Sequence, residues 1–233
     1  MIRTDDLFIN GLKIYQDTEG FCFGTDSLLL AKFAFVKKTL AMCDLCTGTA
    51  VLPLLASAET LCEKIYGVEI SPEIAALANR SVCFNGLGDK INIIEGDVRD
   101  IRNLLPSSKF DLVTVNPPYM PRGGGFLSCG KKTAARAETE CSLADVCAEA
   151  AYLLKNRGRL CVVSRADRLS DLFDAMKKYG LEPKRLVTVQ SKPENAPYII
   201  LCEAVVGASP GLIIEKPLVL DDGKTIWSYY ERK

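Results

Sequence analysis

From Ala41 to Val206 short apolar runs alternate with amphipathic stretches, and few folds accept that alternation. Apolar runs at Ala41–Leu45, Lys64–Glu69, Ile91–Glu95, Phe110–Val115 and Arg159–Ser164 read as buried strands. Helices are expected between them over Ala50–Ala58, Pro72–Asn85, Ser142–Lys155 and Asp167–Tyr179. Pro53 is tolerable only in a first helical turn, and Pro72 after Ser71 marks a helix start. Arg185–Gln190 and Tyr198–Val206 follow as two further strands, joined by a short polar segment and read as an antiparallel pair. The pattern predicts a doubly wound α/β fold with a mostly parallel, seven-stranded sheet and an antiparallel last strand. The chain length suits one domain over 1–233. Residues 1–40 precede the first core strand, with an amphipathic helix from Ser27 capped by Asp26 or Ser27 itself. The start of that helix is expected to cover the ligand-binding edge.

The fourth strand runs into Asn116-Pro117-Pro118-Tyr119. Two consecutive prolines remove two backbone donors and fix φ, so the chain leaves the sheet in a stiff, extended form. The Pro117 carbonyl then has no ladder partner, and Asn116 projects from the carboxyl edge, where open α/β sheets bind ligands. Two fixed acceptors, the Asn116 amide oxygen and the Pro117 carbonyl, suit an exocyclic amine on a flat ring. Held by both hydrogens, its nitrogen is driven toward the pyramidal form that attacks a methyl group. Tyr119 offers a face for the ring, worth about 1–3 kcal/mol. A long glycine-rich basic loop follows over 120–139, with Arg122, Lys131, Lys132 and Arg136 as candidate substrate contacts.

Composition removes several chemistries. The chain contains no histidine, which excludes Ser–His and Cys–His triads and any histidine general base. Cys43 and Cys46 form one CxxC without a second, so no structural metal site is expected. The ten cysteines are read as reduced thiols in the cytoplasm, since no export signal or membrane-spanning run is seen. Net charge is zero, yet 120–170 carries nine Lys/Arg against five Asp/Glu and 177–193 carries five against one. Any phosphate-binding surface is therefore local.

The upstream strands end in acids. Asp44 closes the first and leads into the small-residue turn Cys46-Thr47-Gly48-Thr49-Ala50; Glu69 ends the second; Asp97 with Val98 follows the third. An acid after the second strand commonly takes a ribose diol. Three carboxylates at successive strand ends suit a cationic, ribose-bearing ligand and suit a pyrophosphate poorly, which favours S-adenosylmethionine over a dinucleotide.

The succession Asp44, Glu69, Asp97, Asn116-Pro117-Pro118-Tyr119 resembles class I S-adenosylmethionine-dependent methyltransferases with a Rossmann-like fold that act on exocyclic or amide nitrogen. More narrowly, the chain is similar to bacterial tRNA adenine-N6 methyltransferases that modify an adenine beside the anticodon of a valine tRNA. The similarity extends through Phe23–Ala34, Arg80–Leu87, Ala135–Glu138 and Arg168–Arg185. It implies that Asp44 and the following turn, with Cys46 and Gly48, hold the methionine part of the cofactor. Glu69 would hold its ribose and Asp97 with Val98 its adenine, with Thr25 and Asn116 also at the cofactor. Asn116 and Pro117 would orient the target amine and Tyr119 would stack on the base. The chain departs from the family pattern at Cys46 and Ala50, where glycine is usual, and at Ala137, where histidine is.

The resemblance implies tRNA as partner, with no membrane, metal or obligate protein partner. Two other readings share some of these residues. A protein-glutamine N5 methyltransferase also carries Asn-Pro-Pro-Tyr, but places a helical domain before the catalytic fold, for which 40 residues are too few. A non-catalytic RNA- or cofactor-binding module would account for Cys46 and Ala50, but not for an intact tetrapeptide. The combined variant Lys131→Ala/Lys132→Ala is expected to weaken RNA binding and flatten its dependence on salt. Filter-binding titrations across salt concentrations check this, and an unchanged slope would remove the loop from the RNA contact.

Overall fold

A computed structural model of the chain describes residues 1–20, 22–117 and 141–220. It opens with a hairpin of β1 (Ile2–Asp6) and β2 (Lys13–Asp17), separate from the main sheet. Then come α1 (Thr25–Ala34), β3 (Ala41–Leu45), α2 (Val51–Glu59), β4 (Lys64–Glu69), α3 (Pro72–Phe84) and β5 (Ile91–Glu95). A 3-10 turn at Val98–Asp100 leads into α4 (Ile101–Leu104) and β6 (Phe110–Val115). After the undescribed segment follow α5 (Leu143–Leu153), β7 (Leu154–Arg165), α6 (Leu169–Lys178), β8 (Leu181–Gln190) and β9 (Ile199–Val206). The two-residue strands β10 (Ile213–Ile214) and β11 (Leu218–Val219) close the described chain.

The main sheet runs β5-β4-β3-β6-β7-β9-β8, with β10 and β11 along the outer side of β8. All neighbours from β5 to β7 are parallel, and β9 is antiparallel to both β7 and β8. The seven expected strands and their antiparallel pair are therefore present, with two short edge strands added. From β3 the chain steps outward to β4 and β5, then returns to β6 on the other side of β3. The helices that follow β3 and β6 lie on opposite faces of the sheet, which makes the carboxyl edge between these two strands its topological switch point.

Both faces of the sheet are covered, which is why its strands are apolar without alternation. Met42, Ile65 and Leu112 meet the α1, α2 and α3 residues Leu30, Leu54 and Val82 on one face. Cys43, Val68 and Val113 meet Ile101, Val146 and Met176 from α4, α5 and α6 on the other.

Local chemistry explains most helix ends. Ser71 caps α3 by accepting from the Ile74 N–H, with Pro72 in the first turn. Ser142 and Asp145 form a reciprocal capping box on α5. The expected Asp26 or Ser27 cap on α1 is a correction: Gly24 is the N-cap and makes no side-chain bond. Asp26 and Ser27 lie inside the first turn, and the Ser27 hydroxyl is engaged elsewhere. The β1–β2 hairpin is absent from the sequence expectations. Its β2 edge is satisfied by side chains of α3: Asn85 accepts from the Lys13 N–H at 2.9 Å and donates to the Lys13 carbonyl at 2.7 Å. Ser81 Oγ accepts from the Tyr15 N–H at 2.9 Å.

A buried ion cluster fastens α1 to the sheet. Glu203 on β9 is fully buried and meets Lys37 at 2.5 Å, Arg159 at 3.0 Å and Arg185 at 3.1 Å. Arg159 also donates to the Ala34 carbonyl, at the carboxyl end of α1, and to Thr39 Oγ1. Removing one partner of such a cluster strands the others without compensation. Glu203→Ala is expected to cost about 3–5 kcal/mol in urea unfolding, whereas Glu203→Leu combined with Arg159→Met recovers much of that loss. A Glu203→Ala cost below about 1 kcal/mol would show that water compensates the arginines.

Candidate active site

Asp44 is the penultimate residue of β3, near its carboxyl end, and is 1% exposed. Its Oδ1 accepts from Thr114 Oγ1 at 2.5 Å and its Oδ2 from Thr47 Oγ1 at 2.7 Å. One buried carboxylate thus joins β3, the turn after it and β6. Burial pushes its pKa up to about 7, the two hydroxyls pull it down, and the nearby Glu69 charge adds to the rise.

The turn from Cys46 to Ala50 places Cys46, Gly48 and Ala50 at φ of 57°, 57° and 70°. Glycine adopts this left-handed conformation freely, whereas a Cβ adds roughly 1–2 kcal/mol at each of the other two positions. The turn is held down on all sides. Thr47 N–H donates to the Val68 carbonyl and Gly48 N–H to Glu69 Oε2, both at 2.9 Å. A Cβ on Gly67 would come within 2.8 Å of Thr47 Oγ1, so β4 must be glycine where the turn presses on it.

Helix α2 begins directly after this turn with neither a side-chain cap nor an acid in its first turn. Thr49 is fully buried, and its Oγ1 has no hydrogen-bond partner among the described residues. An uncapped helix start beside an orphaned hydroxyl suits a ligand carboxylate.

Glu69 is 7% exposed; besides the Gly48 bond, its Oε1 accepts from the Ser71 N–H at 2.9 Å. Burial raises its pKa, opposed by these N–H donors. Asp97 caps the 3-10 turn through the Arg99 N–H at 2.8 Å and also receives the Arg99 guanidinium at 2.5 Å. That partner lowers its pKa, and any ligand amine at Asp97 must share the carboxylate with it. Val98 is buried beside it.

Asn116 and Pro117 leave β6 at the same edge. Asn116 Nδ2 donates to Ser27 Oγ on α1 at 2.8 Å, and no described residue donates to Asn116 Oδ1 or to the Pro117 carbonyl. The fold thus gathers Asp44, Cys46, Gly48, Glu69, Asp97, Val98, Asn116 and Pro117 along one edge of the sheet. Thr25 opens α1 and makes no hydrogen bond to the turn among the described residues. Tyr119, Arg122, Lys131, Lys132 and Arg136 lie outside the described residues. Thr47 and Thr49 are expected from the sequence only as part of the turn and Ser27 only as a helix cap, while Thr114 has no expected role. A threonine inside the apolar run Phe110–Val115 was the available signal for Thr114.

The described cysteines are free thiols, and no group of three or more His, Cys, Asp or Glu able to hold a metal occurs among the described residues.

Residues 36–203 match the family model described as a methyltransferase domain. The tRNA1(Val) (adenine(37)-N6)-methyltransferase of Porphyromonas gingivalis is 30% identical over 186 residues, covering 77% of this chain and 72% of its own. The protein of the same name from Bacteroides fragilis is 26% identical, covering 79% and 77%. Among solved structures, a predicted O-methyltransferase of Agrobacterium tumefaciens superposes with a TM-score of 0.68 at 20% identity, covering 85% of this chain and 89% of its own. Pyrococcus horikoshii TYW2, solved with MeSAdo, gives 0.60 at 14%, covering 89% and 72%.

A carboxyl with a folded pKa above its ordinary value near 3.8 stabilises the fold while protonated. Asp44 therefore contributes fully below about pH 4, and that contribution is lost as pH rises through about 7. Ligand-free protein is expected to lose on the order of 4 kcal/mol relative to Asp44→Asn between these limits, with a constant difference above them. Urea unfolding of both proteins across pH checks this; parallel curves would mean that Asp44 stays ionised.

Proposed function

Because this chain belongs to the methyltransferase-domain family, we propose that it transfers the methyl group of S-adenosylmethionine to N6 of an adenine in tRNA, beside the anticodon. The observation that carries the reading is a pair of acceptors, Asn116 Oδ1 and the Pro117 carbonyl, to which no described residue donates, on the same sheet edge as three strand-end carboxylates. An exocyclic amine presents two N–H donors, and two acceptors at fixed spacing select it.

Bound at this edge, the cofactor supplies a methyl group already activated on a cationic sulfur, so no strong base is required. The residues present fit it. The Cys46–Ala50 turn, the start of α2 and the Thr49 hydroxyl, unpartnered among the described residues, would hold the methionine carboxylate, and Asp44 would supply negative potential toward the cationic part. Glu69 keeps lone pairs beyond its two N–H bonds for the ribose hydroxyls. Asp97 takes the adenine amine in competition with Arg99, and Val98 packs against the ring.

Asn116 and Pro117 hold the target amine by both hydrogens and favour its pyramidal form; proximity and in-line orientation supply most of the rate. Tyr119 stacks on the target base. Arg122, Lys131, Lys132 and Arg136 meet the phosphates around it. An adenine in an anticodon loop is single-stranded and unstacks cheaply into such a pocket. A tRNA substrate assigns the protein to the cytoplasm; no helix among the described residues is long and apolar enough to cross a membrane.

Asn116→Ala is expected to abolish turnover while leaving the cofactor Kd within about tenfold, because the side chain chiefly orients the amine. The assay is methyl transfer from radiolabelled cofactor to total tRNA from a strain lacking the gene, followed by nucleoside analysis. Label in N6-methyladenosine, lost in the variant, is the expected result. Label in a release-factor protein instead of RNA would move the activity to protein glutamine.

A further inference from the structure

Asn116 needs help to do what is asked of it. The torsion carrying a side-chain amide is broad and nearly two-fold, so oxygen and nitrogen exchange places at little intrinsic cost. With Oδ1 toward the target amine, Asn116 accepts; with Nδ2 there, N–H faces N–H and the amine is repelled. The productive orientation also turns Nδ2 into the protein, where a half-buried donor is costly to leave without a partner.

The structure assigns that partner: we propose that Ser27 is the positioning residue for Asn116, accepting from Nδ2 so that Oδ1 faces the target amine. Ser27 Oγ lies 2.8 Å from Nδ2, and this is the side-chain hydrogen bond that Asn116 makes among the described residues. Ser27 is 3% exposed, so water does not easily replace it. It belongs to the first turn of α1, and helical packing restricts its rotamer. Helix α1 is itself fixed by Arg159 on the Ala34 carbonyl at its other end. The acceptor is thus presented from a rigid element that lies outside the Asn-Pro-Pro-Tyr stretch, 89 residues earlier in the chain. A serine whose hydroxyl served only to cap its helix would bond within α1; here α1 has no side-chain cap and the hydroxyl reaches β6 instead.

The inference rests on the proposed role of Asn116, and the experiment separates the two. Single-turnover methyl transfer to tRNA at saturating cofactor is measured for the wild type, Ser27→Ala, Asn116→Ala and the double variant. Alanine is the better helix former, so Ser27→Ala keeps α1; thermal unfolding verifies this for every variant. Ser27→Ala is expected to slow transfer by about 10- to 100-fold, the scale of a misplaced reacting group. Its cofactor Kd should stay within about twofold of wild type, and adding Ser27→Ala to Asn116→Ala should change the residual single-turnover rate, read at high enzyme over long incubations, by less than about twofold.

A wild-type rate for Ser27→Ala, or losses that multiply in the double variant, would overturn the positioning role while leaving the Asn116 acceptor intact. A wild-type rate for Asn116→Ala would instead remove the acceptor reading itself, and with it this inference. Should Ser27→Ala lower the unfolding midpoint, Ser27→Cys, which keeps the side-chain size but is only a weak acceptor, is measured in the same cycle. The coupling to Asn116, and not the stability of either single variant, decides the outcome.

Discussion

The buried carboxylate of Asp44 is the constraint from which the site follows. It is the acid nearest the switch point of the sheet, and its two oxygens are taken by hydroxyls from different segments. Thr47 belongs to the turn after β3, and Thr114 lies two residues before Asn116 on β6. An uncompensated carboxylate at this depth would neutralise itself or force the carboxyl edge open to water. Burial still lifts the Asp44 pKa to about 7 against the pull of the two hydroxyls, and those hydroxyls set the Cys46–Ala50 turn and β6 in register. An apolar residue at position 44 would pack as well and leave that register to strand pairing alone.

The turn shows what such an anchoring interaction must offset. Left-handed Cys46 and Ala50 together cost roughly 2–4 kcal/mol relative to glycine. The bonds from Thr47 to Val68, Gly48 to Glu69 and Thr47 to Asp44 each contribute about 0.5–1.5 kcal/mol, and those to a carboxylate more. The sums are of the same size, so the turn holds without glycine at those two positions. Glu69 is central to this balance because one side chain ties the turn to β4 and the start of α3. The methyl of Ala50 is fully buried, which returns about 0.8 kcal/mol of its own. The departures from the glycine pattern are therefore accommodated by the local framework.

Sheet topology was legible because both faces are covered: Phe110–Val115 and Ala41–Leu45 read as strands without needing their partners. Ser71-Pro72 and Ser142 declared their helices for reasons confined to one turn of chain. The hairpin of β1 and β2 was not legible, since its edge is satisfied by Ser81 and Asn85 from a helix far along the sequence. Alternation in Ile2–Asp6 is too polar to stand out alone. In the site, the acids at strand ends could be read from position, since the carboxyl edge is where the fold binds ligands. Their partners could not. Which hydroxyl reaches Asp44, or which residue meets Asn116, depends on how strands and helices lie side by side, and the sequence order carries no trace of that.

The charge cluster around Glu203 is best understood through the placement of α1. Apolar contacts hold a helix on a sheet but tolerate sliding along its axis, since dispersion is non-directional. A guanidinium shared between Glu203, the Ala34 carbonyl and Thr39 does not tolerate it, because each bond is lost within a few tenths of an ångström. Ser27 and Ala34 are separated by seven residues, about 10 Å of helix at 1.5 Å each. A shift at one end is therefore a shift at the other, and the Ser27–Asn116 bond at 2.8 Å has no slack to absorb it. Replacing the cluster by apolar residues of equal volume would preserve or raise stability. It would also release the axial position of α1, and with it the orientation of the amide at the end of β6. Buried charge in this fold thus serves geometry at the active edge more than it serves stability.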